Sequence, residues 1–170
     1  GGASDRIFGG RIADPVVEGI SGRRPDTFVE ECRFVQKMFD EVWNQRLFDK
    51  VPDYFAGNAV CQTVRLRRVM GISNFQLEMM ALLAPFPDGQ MEIRDFVVHD
   101  SLDLGLRIAT IWLLRGSYSG SPVYGPANGA PVNILGSSHF EFRRGKIIRE
   151  WRIFDEISVM AQIARHGMAG

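Results

Sequence analysis

Residues 136–156, GSSHFEFRRGKIIREWRIFDE, contain two alternating runs on either side of Arg144-Gly145, and how they pair decides the fold. A two-residue connection ending in Gly suits a tight hairpin turn, so Val132 to Arg143 and Lys146 to Phe154 read as neighbouring antiparallel strands. With a strict two-residue turn, Phe142 pairs with Ile147, Phe140 with Arg149 and Ser138 with Trp151, and paired residues share a face. That phasing sends Phe140, Phe142, Ile147, Trp151, Ile153 and Asp155 toward a core. It leaves His139, Glu141, Ile148, Glu150, Arg152 and Phe154 on the opposite face. One bulge would reverse the assignment beyond it.

Upstream of the hairpin the same period of two runs through Met91 to Asp100 and Leu106 to Tyr118, with turn-forming residues at Ser101 to Asp103 and Gly120 to Gly129. Earlier still the period is helical. Thr27 and Glu30 form a capping box, and Phe28, Cys32, Val35, Met38, Phe39, Val42 and Leu47 recur at three- and four-residue steps, which predicts a long first helix. Pro52 opens a short second helix, and Ala59 to Leu66 reads as a strand. A third helix is expected with Ser73 as its N-cap, Phe75, Met79 and Leu82 or Leu83 on one side, and a stop at Pro85 to Gly89. Asp155 to Ala164 returns to helix. Helices first and hairpin-connected strands afterwards give an α+β domain, with helices on one face of a curved antiparallel sheet.

The chain has 170 residues, enough for one domain with a sizeable core, and 45% hydrophobic against 24% charged residues excludes intrinsic disorder as its state. Lys plus Arg and Asp plus Glu number 20 each, so no global field steers the chain to nucleic acid or a membrane surface. Apolar runs such as Ala109 to Leu114 are too short to span a bilayer, and the chain reads as soluble and cytoplasmic. Cys32 and Cys61 lack the spacing of a disulfide framework or a metal site and read as packed thiols. Residues 1–26, rich in Gly and without a sustained period, read as a flexible tail or linker, or as the remainder of an upstream domain; residues 27–170 form the folded unit.

Six segments, DEVWNQRLFDKVPDYF, ALLAPFPD, WLLRGSYSG, YGPANGAPV, GSSHFEFRRGKIIREWRIFDE and VMAQIA, follow one another in an order that resembles the SnoaL-like polyketide cyclases, over about Glu31 to Arg165. The resemblance implies the nuclear-transport-factor-2-like fold, a cone of helices wrapped by a curved sheet around an apolar pocket. It also implies aldol ring closure by an Asp general acid/base with an assisting His, without metal or cofactor. Here those two positions hold Arg152 and Ser138, and an Arg cannot serve as a general base near neutral pH. The His of the family's RGTHTG motif is replaced by Tyr118 in RGSYSG.

Two carboxylates are candidates to stand in for the missing Asp. Asp155 shares the inward face in the strict phasing, although it also suits the N-cap of the last helix; Glu78 lies on the third helix, either solvated or projecting into the cavity. Trp43, Tyr54, Trp112, Tyr118, Ser138, Trp151 and Arg152 are the expected ligand-binding residues, with Arg152 favouring an anionic ligand. His139 is expected to point outward, and Ser119 to Gly129 to form a rim at the pocket mouth. Two functions fit: a cofactor-independent cyclase, isomerase or hydratase acting on a small hydrophobic molecule, or a non-catalytic binding or dimerisation domain. A homodimer is expected through the outer sheet face, where Phe154 and Ile148 alternate with Glu141, Glu150 and Arg152.

Overall fold

A computed structural model of the chain describes residues 16–18, 28–64 and 67–169. The elements are β1 (Val16–Glu18), α1 (Val29–Met38), α2 (Val51–Tyr54), β2 (Phe55–Gln62), β3 (Arg68–Met70), α3 (Ile72–Leu83), β4 (Gln90–Ser101), β5 (Gly105–Ser117), β6 (Pro131–Arg143), β7 (Lys146–Phe154) and α4 (Glu156–Met168). Of the segment read as a tail, Val16–Glu18 pairs with β4; the rest of residues 1–26, and Thr27 of the expected capping box, lie outside the described residues. Among the described residues no helix is long and apolar enough to cross a membrane.

The first helix buries Phe28, Cys32, Val35 and Met38, as its spacing predicts, and then widens into a π-helical stretch over Phe39–Asn44. Phe39, Val42 and Trp43, at the three- and four-residue steps of one helix face, are all buried there. Its end is pinned twice. The Asn44 amide donates to the Met91 carbonyl and accepts from the Met91 amide, at 2.9 and 2.7 Å. Arg46, at φ 58°, donates to the carbonyls of Trp43 and Asn44, both at 2.9 Å, and also reaches Phe86 and Pro87.

α3 begins after Gly71 rather than at Ser73; Gly71 has φ 81°, a conformation in which a side chain would be strained, and Ser73 falls inside the first turn. The short strand β3, absent from the sequence expectations, precedes it. The first long strand starts at Phe55, earlier than Ala59, because it pairs beside β7.

The strands form one sheet in the order β1-β4-β5-β6-β7-β2-β3. Pairs β4–β5, β5–β6, β6–β7 and β2–β3 are antiparallel, whereas β1–β4 and β2–β7 are parallel, so a mainly antiparallel sheet becomes mixed at its flanks. β2 runs parallel to β7 because it enters the sheet from the helical layer rather than through a hairpin.

The last hairpin departs from strict phasing. Phe142 pairs with Ile147 as expected, but Glu141 pairs with Arg149, leaving Ile148 as an extra residue, and the register beyond is shifted by one. Phe140 therefore faces Glu150 and Ser138 faces Arg152. Glu150 and Arg152 point into the cone, 1% and 4% exposed, while Trp151 and Ile153 point out. The expected outward placement of Glu150, Arg152 and Phe154 and the inward placement of Trp151, Ile153 and Asp155 are corrected accordingly. The outer face of β5, β6 and β7 carries Ile111, Leu135 and Ile153 beside Trp151, so it is more apolar than the sequence phasing suggests.

Candidate functional site

A cavity of about 560 Å³ opens between α3, the end of β2, the end of β7 and the loop after β5. α3 builds one wall: Phe75, Met79 and Leu83 enter the core, and the adjacent stripe Glu78, Ala81 and Leu82 lines the cavity, a spacing of three and four that keeps one helix face together. Val123 and Tyr124 cover the opposite side, so the Gly- and Pro-rich loop does form part of the rim. That loop is braced. Ser119 N–H donates to the Pro85 carbonyl, Ser121 and Gly125 exchange backbone hydrogen bonds, and the Tyr118 hydroxyl donates to the Gly125 carbonyl.

Arg152 lies at the inner end of the cavity. Its Nε and Nη2 donate to Oε2 and Oε1 of Glu150 at 2.9 and 3.0 Å, so one edge of the guanidinium is closed by a two-point ion pair. Its face is closed by Trp43, whose ring centre is 4.8 Å from Cζ. Behind Glu150 a chain of polar groups continues: the Ser138 hydroxyl donates to Glu150 at 3.1 Å and accepts from the Trp112 indole N–H, also at 3.1 Å. The indole reaches Ser138 because it lies across Gly136, where a Cβ would stand 2.2 Å from Cζ2. Burial alone would push Arg152 toward neutrality; the Glu150 carboxylate outweighs it and holds the guanidinium above its ordinary value. Burial pushes the neighbouring Cys61 thiol up to about 12, and Cys32 likewise, so neither is a nucleophile near neutral pH.

Of the candidates expected from sequence, Glu78 and Arg152 line the cavity. Trp43, Trp112 and Ser138 form the layer behind Arg152. Tyr118 packs at 6.0 Å from Phe86, behind the rim. Tyr54 sits apart, 5.0 Å from Phe34, donating to Glu41 at 2.6 Å; burial and that carboxylate raise its pKa, and its hydroxyl in turn lowers that of Glu41. Trp151 faces away from the cavity, with the Arg149 guanidinium 5.4 Å from its ring. Asp155 caps α4, accepting from Ser158 N–H at 3.0 Å, and borders a groove on the outer sheet face.

Sequence reasoning missed Glu150 and Arg67. The signal for Glu150 was the Ile147-Ile148 doublet, since two adjacent core-type residues in one strand mark where alternation can break. Arg67 forms an ion pair with Glu78 at the cavity wall and is itself largely exposed. Among the described residues no three His, Cys, Asp or Glu side chains gather as a metal site.

Residues 33–163 match the family model described as SnoaL-like polyketide cyclase. A search of curated proteins found no match. Solved structures with the same fold include a candidate polyketide cyclase from Acidithiobacillus ferrooxidans (18% identity, 79% of this chain and 94% of that one, TM-score 0.67). A candidate SnoaL-like polyketide cyclase from Jannaschia is similar at 20% identity, covering 78% of this chain and 90% of that one with a TM-score of 0.67. A SnoaL-like polyketide cyclase from Agrobacterium tumefaciens gives 21%, 76%, 94% and 0.60.

Proposed function

The chain belongs to the SnoaL-like polyketide cyclase family, and from that premise we propose that its cavity binds a small, largely apolar, uncharged molecule through a carbonyl oxygen held by Arg152. The observation that carries this reading is the Glu150 carboxylate locked on Arg152. Arg152 taken alone suggests an anionic ligand. With Glu150 joined to Arg152 by two direct hydrogen bonds the pair is neutral overall, and an incoming carboxylate would be placed beside an existing one in a poorly solvated site. A carbonyl oxygen accepts from the remaining guanidinium hydrogens without that repulsion. Leu82, Pro85, Val123 and Phe154 supply apolar surface for the body of the molecule.

Because Arg152 occupies the place of the family's catalytic Asp, ring closure by that Asp is not the chemistry of this site. Calorimetry with 2-tetralone and 2-naphthoate, two bicycles of similar size, tests the reading. The ketone is expected to bind at least ~10-fold more tightly than the carboxylate, a difference of about 1.4 kcal/mol. Tighter binding of the carboxylate, or no binding of either, would overturn it.

The outer sheet face supports a second reading, a homodimer. Ile111, Leu135 and Ile153, 40, 60 and 60% exposed, gather around one groove on neighbouring strands, Ile111 and Ile153 flanking Ser137 and Leu135 lying two residues along the same face, an apolar surface continuous enough to be covered by its own copy. Light scattering at micromolar concentration should give twice the monomer mass, and Leu135→Glu should return it to the monomer value. A monomer before substitution refutes the dimer.

A further inference from the structure

We propose that Glu78 is the proton-transferring group of this cavity, acting on a C–H bond next to the carbonyl that Arg152 holds, so that the ligand class is an enolisable ketone or ester. The inference rests on the binding reading above and adds chemistry to it.

The carboxylates near the cavity differ in what they can do. Glu150 is 1% exposed, with both oxygens engaged by Arg152 and Ser138, and serves as a fixed counter-charge. Asp155 is turned to the helix cap and the outer groove. Glu156 stands in the first turn of α4 at the cavity's edge. Glu78 projects from the middle of α3, where Phe75 and Met79 fix the backbone in the core, and it shares its lining stripe with Ala81 and Leu82. A carboxylate held on a rigid helix beside Ala81 and Leu82, lining the same cavity as a hydrogen-bond donor, is an arrangement suited to carbon acid chemistry.

Arg67, 63% exposed, pairs with Glu78 at the cavity wall from the solvent side. In the reaction the carboxylate takes the proton from the carbon. The C–H electron pair becomes the new C=C bond, and the carbonyl π pair moves onto oxygen, where Arg152 donates hydrogen bonds to the enolate. Return of a proton from Glu78 to carbon regenerates the ketone. No oxidant, reductant or second reactant is consumed.

The experiment follows exchange of the C1 hydrogens of 2-tetralone in deuterated buffer by proton NMR, with calorimetric binding measured on the same proteins. The wild-type chain should accelerate exchange over buffer. Glu78→Gln should lower that acceleration by about 100-fold or more while leaving the dissociation constant within roughly threefold. Glu78→Asp, which withdraws the same group by one methylene, should fall between the two. Asp155→Asn should exchange at the wild-type rate. Binding without accelerated exchange, or acceleration that survives Glu78→Gln, overturns the role of Glu78 while the pocket reading stands. Absence of 2-tetralone binding overturns both.

Discussion

Replacing Glu150 by Gln keeps the shape of a side chain that is 1% exposed and removes only its charge, which makes it a direct probe of the inward-facing ion pair. In the wild-type chain Oε2 accepts from Ser138 and from Arg152 Nε, and Oε1 accepts from Arg152 Nη2 at 3.0 Å. An amide oxygen can serve one of these positions. Its nitrogen then meets a guanidinium N–H in either orientation, Nη2 at one position and Nε together with the Ser138 hydroxyl at the other, so two donors face one another. The remaining Arg152 charge, 4% exposed, loses its counter-charge. Breaking a buried pair from one side costs about 3–5 kcal/mol, against less than ~1 kcal/mol for an exposed pair. For a chain of this size the loss lowers the melting temperature by roughly 6–20 °C. Urea denaturation, extrapolated linearly to water, should be run on Glu150→Gln, Arg152→Met and the double variant. The double variant removes both charges and should be less destabilised than the sum of the singles by about 2–3 kcal/mol. If Glu150→Gln costs under ~1 kcal/mol, or the two singles add, the two groups are not coupled as a buried ion pair and the reasoning fails.

Gly136→Ala should destabilise the fold by about 2–3 kcal/mol, because the new methyl would stand 2.2 Å from the Trp112 ring and the sheet cannot yield there; thermal unfolding checks it, and Trp112→Leu, which clears the space, should remove most of the added cost. The thiols of Cys32 and Cys61, pushed by burial to about 12, should resist a thiol reagent at pH 8 in the native chain and react fully once denatured; quick reaction of either in the folded state would show that it is not packed as described.

The period of the apolar residues was enough, by itself, to give the α+β class, the order of helices before strands, and the four long strands to within a residue or two at their ends. These are local properties: a strand must alternate and a helix must repeat every three to four residues to bury one face, and the chain writes those periods directly. The six ordered segments likewise pointed to the family that the match over residues 33–163 establishes. The cap reading of Asp155 and the cavity reading of Glu78 were both present as alternatives, and local geometry chose between them. What the sequence could not determine was the side of the sheet taken by Glu150 and Arg152. That depended on whether Ile148 is accommodated as a bulge, a choice fixed when β2 packs beside β7 and the interior accepts an ion pair braced by Ser138, Trp112 and Trp43. Those partners come from α1's π-helical extension, β5 and β6, far apart in the chain. Only the closed cone brings them close enough for the Glu150 counter-charge to make burying Arg152 possible, and with it a charge-balanced ion pair at the cavity wall.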